Sequence, residues 1–238
     1  MHRFTQLTLT SLVCASAAFS TFNACADIVI SGTRVIYPQS SKDVTVKMEN
    51  RGTKPLLVQS WLDDGRDTVN PQELKLPFIV TPPVSRIDPS KGQTVRITWT
   101  QQPLAQDRES LFWFNLLDIP PEPKNGKTDN YLQLAIRSRI KLFYRPAGVA
   151  AEKIAAEKAL SWALAPTGNG LRVSNASARY ITIDSITLNG QKHAAGMVAP
   201  FSSLEIAPKG VALRTLPAKF SFTTINDYGA VVNHNYPQ

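Results

Sequence analysis

Cysteine is scarce in this 238-residue chain, and both cysteines, Cys14 and Cys25, fall within its first 26 residues. Those residues read as a secretory leader. His2 and Arg3 open it, an apolar run follows (Leu7, Leu9, Leu12, Val13, Ala15, Ala17, Ala18, Phe19), and Ala24-Cys25-Ala26 supplies a small-x-small cleavage site. The run is interrupted by Thr, Ser and Asn and falls short of the ~20 apolar residues that span a bilayer. A retained anchor is the weaker reading, and Phe22-Asn23-Ala24 makes a poor lipobox for lipidation of Cys25. Cleavage after Ala26 would leave about 212 residues with no cysteine. That excludes disulfides, thiol nucleophiles, cysteine-ligated zinc and iron–sulfur clusters. Stability has to come from apolar cores.

Other absences narrow the function. Only two histidines follow the leader, His193 and His234, both in polar, loop-like contexts, and no Gly-x-Ser-x-Gly elbow exists to present a serine nucleophile. Asn125-Gly126-Lys127-Thr128 resembles the tail of a phosphate-binding loop. Its first glycine would fall at Pro121, which has no amide to offer, so the segment is better read as a polar hairpin loop. Neither an enzyme, nor a cofactor, nor a metal site is therefore expected. The formal charge of +8 drops to +7 with Arg3, and the basic residues are scattered singly, with no dense run to track a nucleic-acid backbone. An acidic partner, or carboxylate groups on one, suits this balance as well. Asn175-Ala176-Ser177 is formally a glycosylation sequon, a pattern too common to carry weight.

What is present is a globular composition, 43% hydrophobic and 18% charged, arranged in short β segments. Residues 27–36 and Asp43 to Glu49 alternate, the latter with Val44, Val46 and Met48 on one face. Asn50-Arg51-Gly52 is a turn, and Leu56 to Leu62 the next strand. Phe78-Ile79-Val80 runs into Pro82-Pro83, where a central strand cannot continue. Thr94 to Thr100, Ser110 to Leu117 and Tyr131 to Tyr144 complete about seven strands before residue 147. Arg145 to Val149 reads as an exit into a linker, and Ala150 to Leu160 has helix-forming composition. Beyond it the β pattern resumes at Trp162, Leu171 to Val173, Tyr180 to Leu188, Val211 to Leu213 and Phe220 to Ile225, with turns at Gly168 to Gly170 and Asn189-Gly190. The expectation is an all-β chain of two antiparallel sandwiches, residues 27–147 and 148–238, behind a leader of residues 1–26.

One segment stands out. Tyr131 to Tyr144 spans 14 residues, long against a usual strand of ~5 to 6. Alternation puts Leu132, Leu134 and Ile136 on one face and Arg137, Arg139 and Lys141 on the other. Its apolar side could pack on its own core, or its first half could be an edge offered to another chain.

The stretch Leu104-Ala-Gln-Asp-Arg-Glu-Ser-Leu-Phe-Trp-Phe-Asn-Leu-Leu-Asp-Ile-Pro120 resembles the signature of periplasmic pilus chaperones of the chaperone/usher pathway. Thr33 to Pro38, Phe78 to Pro83, Ser138 to Pro146 and Ile225 to Gly229 extend the similarity along the chain in the family's order. The resemblance implies two immunoglobulin-like domains in a boomerang with a cleft between them. It also implies a non-catalytic role: holding pilin (fimbrial) subunits by donor-strand complementation, a form of β-augmentation, and delivering them to an outer-membrane usher. On this view Leu132, Leu134 and Ile136 fill a groove in the subunit, and Arg34 and Lys141 anchor its C-terminal carboxylate. Glu109, Arg145 and Asp227 form an interdomain salt-bridge network. Self-association of the free chain would cover its exposed strand. No nucleic acid and no membrane insertion are implied. The short loop from Pro121 to Asn130 resembles the subclass serving rod-like pili, and the cysteine-free chain departs from relatives that carry a disulfide in the second domain.

Overall fold

The structure, a computed structural model, describes residues 27–121, 133–150, 156–168, 170–208, 210 and 213–237. The leader, the loop 122–130, Leu132, residues 151–155 of the expected helix and the start of the expected strand at 211–213 lie outside the described residues.

Among the described residues nine strands precede residue 147: β1 (Ile28–Ile30), β2 (Arg34–Pro38), β3 (Asp43–Asn50), β4 (Leu56–Asp63), β5 (Phe78–Thr81), β6 (Val84–Ile87), β7 (Gly92–Trp99), β8 (Ser110–Ile119) and β9 (Ile136–Arg145). They form two facing sheets, β1-β3-β7-β5 and β2-β9-β8-β4-β6. Every pairing is antiparallel except β2 with β9, which is parallel. Alternate residues turn inward, as period-2 patterning requires. Val46, Met48, Val58, Val95, Ile97, Phe114, Leu142, Tyr37 and Tyr144 are each at most 2% exposed and make one core. Removing each from water is worth ~1.5–3 kcal/mol before ordering costs are subtracted.

Helix α1 (Ala147–Ala150) follows, and a single 3-10 turn (Ala156–Ala159) leads into the second sandwich. There β10 (Leu160–Leu164), β11 (Leu171–Asn175) and β14 (Ser202–Ile206) form one sheet; β12 (Ile181–Leu188), β13 (Gln191–Val198), β15 (Phe220–Ile225) and β16 (Val231–Tyr236) form the other, in the order β13-β12-β15-β16. Leu171, Val173, Ile183, Ile186 and Phe222 centre a second, separate core.

Several local expectations are corrected. The alternation over residues 27–36 is two strands, because Gly32 at φ 108° breaks the run and β1 and β2 join different sheets. A short β6 resumes after Pro82-Pro83, and β13, β14 and β16 are strands despite polar sequence. His193 and His234 sit within β13 and β16, not in loops, and His234 stacks on Phe222 at 4.9 Å while bonding Thr224 Oγ1 at 2.8 Å. Leu213 is buried but not in a strand. The sequon's Asn175 is 2% exposed, and its amide donates to the carbonyls of Arg179 and Ala199 at 2.7 and 3.0 Å. It is a turn-fixing residue.

Candidate functional site

The long alternating segment is strand β9 from Ile136 onward, and its inner row changes character along its length. Tyr144 and Leu142 are buried in the first core, Ile140 is half-buried, and Ile136 is 56% exposed. Leu134, just before the strand, is 63% exposed. The cause is the pairing. β8 pairs with Ile136–Tyr144, but β2 covers only Lys141–Arg145, so no strand among the described residues flanks the outer edge of residues 136–140. A core stripe, interrupted at Ser138, thus continues out of the sandwich as a mostly apolar ribbon whose outer edge is unflanked among the described residues, an arrangement soluble proteins normally avoid.

The parallel register of β2 and β9 sets Arg34 directly beside Lys141, both on the outer face. Arg34 Nη1 donates to the Ile225 carbonyl of the second sandwich at 3.0 Å, and its guanidinium lies 6.0 Å from the Phe143 ring centre. Lys141 Nζ stands 5.8 Å from the centre of Trp113. Among the described residues neither cation has a salt bridge, and Arg34 Nε is buried without a hydrogen-bond partner. Burial pulls the Lys141 ammonium below its ordinary range, and the Arg34 charge adds to that. Burial likewise lowers Arg34, partly offset by Asp227. Two adjacent, half-desolvated cations with free donors make a receptor for an anion. A guanidinium can grip a carboxylate with two bonds while the ammonium adds a point charge.

Where β9 ends, Arg145 joins the two sandwiches. Its Nε donates to Glu109 Oε1 at 2.6 Å, and Nη1 and Nη2 donate to Asp227 Oδ2 and Oδ1 at 2.7 and 2.9 Å. Glu109 stands just before β8, whereas Asp227 lies in the turn between β15 and β16. Glu109 also accepts the Tyr180 amide at 2.8 Å, and its own amide donates to the Ala178 carbonyl at 2.9 Å. Burial opposes the Arg145 cation, but the bonds to Asp227 and Glu109 outweigh it and raise its pKa. Burial also opposes the Asp227 carboxylate, yet Arg145 holds it below the usual range, while Glu109, more deeply enclosed, is pushed up. The Asp227 turn is seated by Gly229 at φ 82°, where a Cβ would come 2.5 Å from Thr33 Oγ1.

The structure thus sets Arg34 beside Lys141, joins Arg145 to Glu109 and Asp227, and leaves Leu134 and Ile136 exposed, while Leu132 lies outside the described residues. Sequence reasoning missed the second-domain half of the contact: the Ile225 carbonyl, the backbone of Ala178 and Tyr180, and the Phe143–Tyr180 ring pair at 5.6 Å. Backbone groups leave no residue-type signal. Phe143, placed between Lys141 and Arg145 on the outward parity of β9, was a readable clue to an apolar neighbour on that face.

Comparison with known proteins matches the geometry. Residues 27–150 match the family "Pili and flagellar-assembly chaperone, PapD N-terminal domain", and residues 155–236 match "Pili assembly chaperone PapD, C-terminal domain". The chain is similar to the probable fimbrial chaperone YadV of Escherichia coli K12, 44% identical over 227 residues that cover 92% of each protein. The crystal structure of YadV superposes with a TM-score of 0.74 at 43% identity, over 88% of this chain and 98% of that one. A chain of the solved Salmonella enterica SafA pilin–SafB chaperone complex gives a TM-score of 0.75 at 28% identity, over 90% of this chain and 98% of that one. Two immunoglobulin-like sandwiches, matched in order and along nearly their whole length, make this chain a member of the PapD family of pilus-assembly chaperones.

Proposed function

We propose that this protein captures pilus subunits, completes each one with the free half of β9, and passes it to an outer-membrane usher. The observation that carries the reading is the apolar row of β9, which runs from buried Tyr144 and Leu142 to exposed Ile136 and Leu134. A subunit groove that takes up Leu134 and Ile136 removes apolar surface from water at ~1.5–3 kcal/mol for each side chain fully buried. Strand addition along the unflanked edge supplies directional backbone bonds at the same time. Leu132 extends the same row on sequence alternation. Arg34 and Lys141 take the subunit's terminal carboxylate, which neutralises a cation pair that Asp227 compensates only in part. Glu109, Arg145 and Asp227 set the angle between the domains, residues 27–147 and 148–238. The role is one of holding, without catalysis. Chaperones of this pathway act in the periplasm, and this chain is exported there by cleavage of its leader after Ala26.

Co-expression of the full chain in a periplasm with the pilin subunits encoded beside its gene tests the reading. A one-to-one complex is expected, the chaperone's intact mass corresponding to a start at Asp27. Lys141→Ala should fold normally and lose the complex. Failure of the wild type to retain any subunit would refute the function, and full retention by the variant would remove Lys141 from the anchor.

A further inference from the structure

Residues 136–140 form an edge of the sheet, paired with β8 on one side only among the described residues, and backbone bonds exposed at such an edge open readily. The odd-numbered side chains of β9 reach across the outer face of the five-stranded sheet to prevent this. Arg139 Nε donates to Asp63 Oδ2 at 3.0 Å, and its Nη2 donates to Asp63 Oδ1, a fork on a carboxylate. Arg137 donates through Nε and Nη2 to Asn115 Oδ1 at 2.9 and 2.8 Å and through Nη1 to the Asp67 carbonyl at 2.7 Å. Asn115 Nδ2 closes the circuit on Asp63 Oδ2 at 2.7 Å, and the Gly65 amide donates to Asp63 Oδ1 at 2.7 Å. Each guanidinium also lies over an indole, Arg137 at 5.2 Å from Trp61 and Arg139 at 4.2 Å from Trp113. At the start of the strand the Ile136 amide donates to Asp118 Oδ1 at 2.8 Å. Residues 136, 137 and 139 are thereby pinned to β8 or β4, while among the described residues no strand flanks the opposite edge of 136–140.

Asp63 and Asn115 are both 0% exposed, at the centre of an outward-facing sheet surface. A buried ion pair is weak support for stability, because its desolvation offsets its attraction. What a bidentate fork supplies is geometry, one fixed plane and one fixed reach. Successive strand residues point to opposite faces, so fixing Arg137 and Arg139 outward fixes the direction of Ile136 inward.

We propose that Asp63, acting through Arg139, and Asn115, acting through Arg137, preorganise the free half of β9 for subunit capture. Both are positioning residues for the donor strand. The inference rests on the capture function proposed above and adds to it the reason the donor is ready before the subunit arrives. Ordering even one residue at the moment of binding instead of beforehand weakens association by about tenfold.

Amide hydrogen exchange of the free protein, with refolding titrations of a denatured pilin subunit, tests this on the wild type, Asp63→Asn and Arg139→Met. Arg139→Met keeps an apolar stem over Trp113 and guards against a folding failure of Asp63→Asn. Faster exchange at Ser138 and Ile140, whose amides face β8, unchanged protection at Phe112 and Leu117, and about tenfold weaker capture are expected. Unchanged exchange at Ser138 and Ile140, or unchanged capture despite faster exchange, overturns the proposal. So does equal loss of protection at Phe112 and Leu117, which would make the network a general support of the sandwich. Because the exchange readout needs no subunit, a wild type that protects Ser138 and Ile140 yet captures nothing refutes the capture function separately.

Discussion

Lys141 holds its charge against its surroundings. Burial, and then the neighbouring Arg34 charge, lower its folded pKa below the ordinary 10.5. A group with a depressed folded pKa contributes stability that is present above the unfolded value and lost as pH falls through the folded one. At neutral pH the ammonium therefore works against the fold. Lys141→Met should fold with a melting temperature unchanged or raised by about 2–4 °C, while losing subunit capture. A clear fall in melting temperature, read by calorimetry, would contradict the strain assigned here. The converse follows for binding. A subunit carboxylate beside Lys141 restores its proton affinity, so capture should weaken as pH rises through the free protein's Lys141 pKa.

At the scale of the element, the first half of β9 divides by parity: Arg137 and Arg139 bond to neighbouring strands, while Ile136 and, just before the strand, Leu134 stay exposed. Leu134 is 63% exposed in the free protein, so Leu134→Glu should leave the melting temperature in place. It should nonetheless weaken capture by at least tenfold, because an unpaired carboxylate would enter an apolar groove. Equal capture by this variant in a pull-down would remove Leu134 from the donor row. The alternation that makes this strand legible in sequence also misled nearby. Residues 27–36 alternate through Gly32, and only a backbone angle separates β1 from β2. β13 and β16 stayed invisible because one flank of each is a sheet edge, where Gln191, Lys192, Asn233 and Asn235 remain exposed or half-exposed and no apolar period develops. Within the site, charged residues in motif context could be placed from sequence, whereas Asp63 could not. It follows a strand expected to end at Leu62, and nothing in its flanks says that two arginines and an asparagine close over it.

At the scale of the molecule, two apolar cores are joined by a mostly polar seam. Glu109, Arg145 and Asp227 belong to that seam, and their pairing is expected to govern the angle between sandwiches more than the stability of either. Arg145→Ala should broaden the distribution of interdomain distances in small-angle scattering at neutral pH, with both cores retaining their thermal transitions. A distribution as narrow as the wild type's would show that the ring pair Phe143–Tyr180 and the Arg34–Ile225 bond suffice. Acid offers a second handle on the same seam. Asp227 has a folded pKa below its ordinary 3.8, so its contribution is present above that value and is lost as pH falls through the folded one.

The seat of Asp227 sets how far the seam tolerates change. Gly229 leaves room for a hydrogen atom and no more against Thr33, at a backbone angle that alanine resists. A single methyl group there would force either the Thr33 side chain or the turn that carries Asp227 to give way. The joint between the domains is thus gauged by steric clearance, and its electrical alignment is only as accurate as that mechanical fit.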